Sequence, residues 1–429
     1  MAKERISDRL KLITLLCVVG TIRLSAQNSP PAISTGEVHY DKSARKYVVS
    51  FDVFDREHDS IELTLAVSSD SGETFNTLYT RDVGNEGKKR IRLEWQSEQK
   101  TGATPYIFRV VADDNQPFDR AAIANRVDMA RLTSHFNTVY GERSNHSKGS
   151  KAKYDSVRNF IARYFAQSNL DLELMTWSGG DQQMTNILGK KDGLTSNETI
   201  VLGAHYDTVD GSPGADDNTS GVIALIELAA CISDLQFAKS ILLVAFDGEE
   251  KGLLGSHHFL EQIAGYPGIK AYLNYDMIGY ASDEKNSQPL PPGMDQLFPA
   301  AYNELSADEF RGNFLLLMSN DSSTHIAKIF QSNARQFVQD LKLVSIVIPQ
   351  NGLTAPTLFR ASDHAGFWDK SIPAISIGDT GNIRNPHYHS PEDTRATINF
   401  KFLGSTIRAS VAALAELAGI CHCSMMTIK

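Results

Sequence analysis

Hydrophobic and polar positions along the chain fall into two regimes. From about Ala32 to Asp114 they alternate: Val49, Phe51 and Val53, then Ile61, Leu63, Leu65 and Val67, then Ile91, Leu93 and Trp95, and finally Tyr106, Phe108 and Val110. A period of two turns one face of each run inward. Turn clusters such as Ser69-Asp70-Ser71-Gly72 and Gly84-Asn85-Glu86-Gly87 separate the runs. Short alternating strands at this spacing predict a small all-β sandwich, immunoglobulin- or fibronectin III-like, over residues 32–118. Its Asp55, Glu57, Asp59, Asp113 and Asp114 read as solvated strand ends, since no EF-hand spacing accompanies them. The module is expected to act as a spacer or to present substrate.

After Arg120 the period changes. Val157, Phe160, Ile161, Tyr164 and Phe165 follow the spacing of an amphipathic helix. Unbroken apolar runs of strand length follow at Ile200–Leu202, Ile241–Phe246, Phe314–Leu317 and Ala374–Ile377. Helical stretches at Gly221–Ile232, Ser323–Val338 and Phe402–Leu417 lie between and after them. This alternation predicts an α/β fold over residues 131–418, a mixed sheet with a mostly parallel core and helices on both faces. The Pro-rich segment 281–312 has no readable period. In such sheets ligands sit beyond the carboxyl ends of the strands.

Composition narrows the class. The chain has 429 residues, 41% hydrophobic and 22% charged, enough for two or three globular domains. A net charge of −9 supplies no basic field, so nucleic acid is not an expected partner. No apolar run reaches the ~20 residues of a membrane-spanning helix. Four Cys do not make a disulfide scaffold, and Cys421-His422-Cys423 reads as part of a frayed tail, 419–429, rather than a metal site. Residues 1–26 do change the picture: a basic stretch to Lys11, an apolar run from Leu12 to Ile22, and Leu24-Ser25-Ala26 before Gln27. This is a signal-peptide pattern, and it predicts an exported protein, periplasmic or extracellular. No feature fixes an oligomeric state.

The chemistry collects at the predicted strand ends. Gly203-Ala204-His205-Tyr206-Asp207 follows one apolar run and Asp247-Gly248-Glu249-Glu250 another; Asp276 follows Tyr272–Tyr275. Loops add Gly214-Ala215-Asp216-Asp217-Asn218 and His387-Tyr388-His389. So many carboxylates in a partly dry cleft repel one another unless a cation joins them. Oxygen and nitrogen donors without thiolate suit zinc and tolerate manganese or cobalt. In His205-x-Asp207, alternate strand residues share a face, so Asp207 can orient the imidazole. Adjacent Glu249 and Glu250 diverge, so one can bind metal while the other acts as a general base. From the residues alone, either Asp216 or Asp217 can be the ligand. No His-Glu-x-x-His, Gly-x-Ser-x-Gly or phosphate-binding Gly-rich loop is present.

Six motifs in order, GAHYDTV at 203–209, GADDNTSG at 214–221, FDGEEKGLLGS at 246–256, NYDMIGY at 274–280, SDHAGFW at 362–368 and NPHYHSPEDT at 385–394, resemble the zinc exopeptidases of the bacterial leucyl aminopeptidase type. Relatives of that family include glutamate carboxypeptidases and glutaminyl cyclases. The resemblance covers roughly residues 131–418 and not the β-module. It implies the zinc exopeptidase fold and two zinc ions per chain, bridged by Asp217, one bound also by His205 and Asp276 and the other by Glu250 and His389. It implies Glu249 as the general base and places Asp363 near the substrate and Phe359 near the specificity pocket. The expected activity is removal of residues from peptides with free N-termini. The rivals are a glutaminyl cyclase, a single-zinc acyltransferase on the same fold, and a non-catalytic binding protein.

Overall fold

The computed structural model describes residues 31–41, 43–56, 60–69, 75–84, 88–96, 106–114, 119–144, 150–179, 182–194, 197–266, 268–421 and 423–428. The signal-peptide segment 1–26, Glu57, Asp59 and most of both turn clusters lie outside them. The first unit contains β1 (Ala32–Asp41), β2 (Lys46–Phe54), β3 (Glu62–Ser68), β4 (Asn76–Asp82), β5 (Lys89–Trp95) and β6 (Ile107–Asp113). One antiparallel sheet has the order β1-β2-β5, and a second contains β6-β3-β4. The alternating residues do face inward: Val49, Phe51, Val53, Leu63, Leu65, Ile91, Leu93, Phe108 and Val110 form the sandwich's own core.

Three helices lead into the second unit: α1 (Arg120–Ala124), α2 (Met129–Val139) and α3 (Lys151–Gln167). Then come β7 (Asp171–Gly179), β8 (Gln182–Lys191), β9 (Thr199–His205), α4 (Gly221–Ile232), β10 (Gln236–Phe237), β11 (Ser240–Phe246), α5 (Leu254–Glu261) and β12 (Ile269–Tyr275). An excursion carries α6 (Met294–Leu297) and α7 (Pro299–Ala307). The unit continues with β13 (Phe314–Asn320), α8 (Thr324–Phe337), β14 (Lys342–Ile348), α9 (His364–Asp369), β15 (Ala374–Gly378) and α10 (Phe400–Leu417).

Eight strands form one sheet in the order β14-β13-β15-β12-β9-β11-β8-β7. The run β15-β12-β9-β11 is parallel, while β8 pairs antiparallel with β11, and β13 with β15. Strand β9 shows why its run is unbroken. Ile200, Leu202 and Ala204 pack with α4 and α10 residues, whereas Val201 enters a second apolar layer with Phe246, Tyr272 and Phe367. With both faces covered, no polar alternation is possible. The carboxyl ends of β9, β11 and β12 therefore open on one edge, and His205, Asp247 and Asp276 stand there.

The tail corrects an expectation. Residues 420–421 and 423–428 are not frayed: β16 (Ile420–Cys421) pairs with β10, and β17 (Cys423–Ile428) pairs antiparallel with β6 as the fourth strand of the sandwich's second sheet. Cys421 and Cys423 are joined in a disulfide. Such a short strand, with its partner far upstream, carries little local signal. The sandwich meets the α/β unit where buried Arg109 donates from Nη1 to Gly193 O (2.9 Å), and where Val111 and Cys423 pack on Leu194. Gly193 and Leu194 follow β8, whose Lys191 pairs with Ile241 near the start of β11. This contact is on the edge opposite the strand-end carboxylates, about 20 Å away along a seven-residue strand. No helix among the described residues is long and apolar enough to cross a membrane.

Candidate metal centre

Two imidazoles face one carboxylate. His205, the last residue of β9, has Nε2 3.2 Å from Asp217 Oδ1 and 3.5 Å from Asp276 Oδ1. His389 has Nε2 3.2 Å from Asp217 Oδ2 and 3.0 Å from Glu250 Oε2. Asp217 thus offers one oxygen to each of two poles. Donor atoms of His205, Glu249 and Asp276, and of His205, Asp217 and Glu250, lie within 4.8 Å of one another. Asp207 stands behind His205, its Oδ1 3.5 Å from Nδ1, and also accepts from the backbone N–H groups of Glu249 (3.2 Å) and Glu250 (3.3 Å). It orients an imidazole and the Glu249–Glu250 turn together. Asp363 is fully buried, and Phe359 lines the adjoining cavity.

The structure separates Asp216 from Asp217. Asp216 turns away, its Oδ1 accepting from Gly279 N (2.8 Å) and its Oδ2 from Asn385 Nδ2 (2.8 Å). Asn218 Oδ1 accepts from the N–H of Gly221 at the head of α4, and its Nδ2 donates to Tyr275 O at the end of β12. Gly214 opens the loop with φ 61°; a Cβ there would lie 2.5 Å from Asp217 O. That position needs glycine on both conformational and steric grounds.

Sequence reading missed two further supports. The carboxylate of Asp393 accepts from the N–H groups of Asp216 (2.9 Å) and Asp217 (3.1 Å), tying the His389 loop to the Asp217 loop. Arg143 is buried among main-chain carbonyls: Nε donates to Tyr206 O (2.7 Å), Nη1 to Gly141 O (2.7 Å) and Nη2 to Gly214 O (3.3 Å). Burial lowers its pKa to about 10, against the pull of Asp207, Asp393, Asp217 and Glu250, so it is charged at neutral pH. In sequence, Arg143 is one cation in a polar stretch beside Glu142, and only the fold shows it beneath the carboxylates.

Electrostatics show how strongly these buried donors act on one another. Burial resists ionisation of Asp217, yet hydrogen bonds from His205 and His389 hold its carboxyl below the ordinary range. Burial, then the charge of Asp217, pushes Glu250 up to about 7. Burial raises Glu249 well above its ordinary value; Asp276 and Asp363 add to this and His205 opposes it. Burial also raises Asp363 to about 7. For His389 burial disfavours the cation, but Asp217 and Glu250 outweigh it and raise the pKa to about 10. A divalent cation would relieve the repulsion among these carboxylates. Imidazole and carboxylate donors converging from two sides, without thiolate, fit zinc or a similar ion. His364 and His387 contribute to neither pole; His364 Nε2 pairs with Phe359 O, and burial lowers it to about 4.

A sheet of this kind with paired imidazole–carboxylate poles at its carboxyl edge is suited to hold metal, and the family comparison gives the class as a metallopeptidase. More narrowly, the chain belongs to peptidase family M28, whose model matches residues 186–414. It is 30% identical over 234 residues to the uncharacterized protein YfbL of Escherichia coli, covering 52% of this chain and 68% of that one. It is 26% identical over 282 residues to leucine aminopeptidase 2 of Trichophyton rubrum, covering 60% of this chain and 50% of that one. The chain thus spans about half the length of this named peptidase. Among solved structures it is similar to the Legionella pneumophila LapA aminopeptidase, with a TM-score of 0.52 and 22% identity, covering 71% of this chain and 78% of that one. At that identity the likeness speaks for the fold.

Proposed function

We propose that the protein is an exported aminopeptidase that hydrolyses the first peptide bond of its substrates with two zinc ions. The observation that carries this reading is Asp217, whose two oxygens each face a different imidazole at 3.2 Å. His205 and Asp276 would hold one ion, His389 and Glu250 the other, with Asp217 shared. When bound, the ions supply Lewis acidity for the scissile carbonyl and lower the pKa of water. The chain's own residues supply the rest. Glu249 stands beside His205 and Asp276 without being paired to an imidazole, and it takes the proton of the attacking water and returns it to the leaving amine. The raised proton affinity of its buried carboxyl suits both halves of that exchange. Asp207 fixes His205 and the Glu249 turn, and the carboxylates at the cavity mouth attract the substrate's α-amino group. Leucine aminopeptidase 2 supports the same activity class.

The test is nitroaniline release from a panel of aminoacyl-p-nitroanilides, with and without chelator, alongside metal analysis of the purified protein. Chelator-sensitive release with two ions per chain is expected. Ammonia loss from N-terminal glutaminyl peptides, without nitroaniline release and with one ion per chain, would replace this reading with the cyclase. Export rests on residues 1–26 and predicts a mature N-terminus at Gln27, read by N-terminal sequencing of secreted material.

A further inference from the structure

Glu249 and Glu250 ride on a loop, residues 247–255, that leaves the end of β11 and enters α5. The ladder between β8 and β11 reaches Ile187–Ala245, and past that pair side chains continue it. Asn186 Oδ1 accepts from Asp247 N (3.0 Å), while Asp247 Oδ2 accepts from Thr185 N (2.8 Å) and from the Tyr154 hydroxyl of α3. Asn186 Nδ2 turns to the other end of the loop and donates to Gly255 O (2.8 Å). One buried amide therefore grips both ends.

Accepting at one end and donating at the other requires an acceptor and a donor on separate atoms of one short side chain, which an amide provides. The neck it closes is narrow: a Cβ on Gly255 would lie 2.3 Å from Asp247 O and 2.6 Å from Asn186 Oδ1. Inside the loop, Leu254 N donates to Gly248 O (3.0 Å) and Leu253 N to Glu249 O (2.9 Å), so the segment is a closed unit fastened at its base. The same corner of β8 is tied to β9, because the Tyr206 hydroxyl donates to Thr185 O (2.9 Å) and Tyr206 stands between His205 and Asp207. In the two-zinc reading the glutamates depend on this neck unequally. Glu250 faces His389 at 3.0 Å, and a shared cation would hold its carboxylate directly. Glu249 has no such tie, so its reach is set by its backbone: the Asp207 contact to its N–H and the neck.

We infer that Asn186 is a positioning residue for the proposed general base, setting the reach of Glu249 through the neck of the loop. The inference rests on the reading of Glu249 as the base. With metal saturating, Asn186→Ala should lower kcat about 10–100-fold while KM stays within about threefold and the ion content is unchanged. The decisive measurement repeats the substitution in Glu249→Gln. There the base is already gone, and Asn186→Ala should cost less than about twofold of the residual rate. A loss of folded enzyme would appear equally in both backgrounds, so the difference between them isolates the route through Glu249. Gly255→Ala crowds the neck from its other side and should give the same pair of results. Equal losses in the two backgrounds, or an unchanged kcat in Asn186→Ala, would overturn the inference.

Hydrogen exchange supplies an arm independent of turnover. In metal-loaded Asn186→Ala, the amides of residues 249–254 should exchange about tenfold faster than in wild type, while those of residues 200–205 in β9 keep their rates. Unchanged exchange in the loop would overturn the clamp whatever reaction the enzyme performs. If wild type releases ammonia from N-terminal glutaminyl peptides and no nitroaniline, the peptidase reading fails, and the same pair of backgrounds assayed by ammonia release decides the inference.

Discussion

The two poles of the centre are built differently. His205 and Asp276 stand at the ends of neighbouring central strands, and the His205 side chain is 2% exposed. His389 sits on a loop at φ 55°, with its side chain 35% exposed and its ring stacked on Tyr388 at 3.7 Å. Its partner Glu250 lies on a short turn after Gly248, whose own φ is 70°. One pole inherits its geometry from the hydrogen-bonded sheet. The other depends on side-chain ties such as Asp393 to the amides of Asp216 and Asp217. A cation at the His389 pole should therefore exchange more readily than one at the His205 pole, though both share Asp217.

Chemistry at the two poles can be removed without removing either. Glu249→Gln leaves the paired donors in place and deletes the proposed base. Turnover should fall by about 10²–10⁴-fold with metal content near wild type. A variant that keeps its activity would assign the proton to another group. Asp217→Asn affects both poles at once, and mass spectrometry of the native protein should show loss of both ions at metal concentrations that saturate wild type. His389→Ala removes one donor from one pole, so that variant should retain a single ion. Timed chelation of wild type should likewise proceed in two phases, and a single phase would mean that the poles do not differ in exchange.

The same contrast explains what could be read from the sequence. His205, Glu249, Glu250 and Asp276 follow apolar runs whose length and lack of alternation mark buried strands, so their position at the sheet's carboxyl edge was legible. Asp216 and Asp217 were not separable, because the choice rests on Gly279 N and Asn385 Nδ2, which hold Asp216 away from the imidazoles. Arg143 was invisible for a related reason: its acceptors are main-chain carbonyls, which every residue has. The cavity beside the centre was hidden because part of its lining, from Gln288 to Leu305, comes from the 281–312 segment, which has no readable period. In the sandwich, alternation located the inward faces, but nothing local joined Cys423–Ile428 to β6.

Arg143 tests how far both poles depend on a shared base. Its carbonyl contacts span Gly141, Tyr206 and Gly214, and its charge faces Asp207, Asp393, Asp217 and Glu250. Arg143→Met should destabilise the fold by about 3–5 kcal/mol, because it leaves buried carbonyls unpaired and carboxylates uncompensated. Denaturant melts of metal-loaded protein measure this. Arg143→Lys keeps the charge and loses the fork, so it should recover part of the loss; equal defects in the two would make geometry alone the cause.

The smallest effect expected is a pH dependence that distinguishes the exposed pole. In the metal-free protein His389 is raised to about 10 by Asp217 and Glu250, which overcome the opposing effect of burial. A raised imidazole stabilises the fold fully below its unfolded pKa of about 6.5, and that stabilisation is lost as pH rises through about 10. Glu250, raised to about 7 by burial and Asp217, adds a loss of the same sign between its ordinary value and about 7. A bound cation replaces the protons on both residues, so affinity should increase with pH over this range and loading should release protons. The metal-induced rise in Tm should therefore grow from pH 6.5 towards pH 9, by a few degrees. His389→Ala should flatten that dependence, because the imidazole proton no longer competes. A slope unchanged in His389→Ala would place the competing proton at the His205 pole instead.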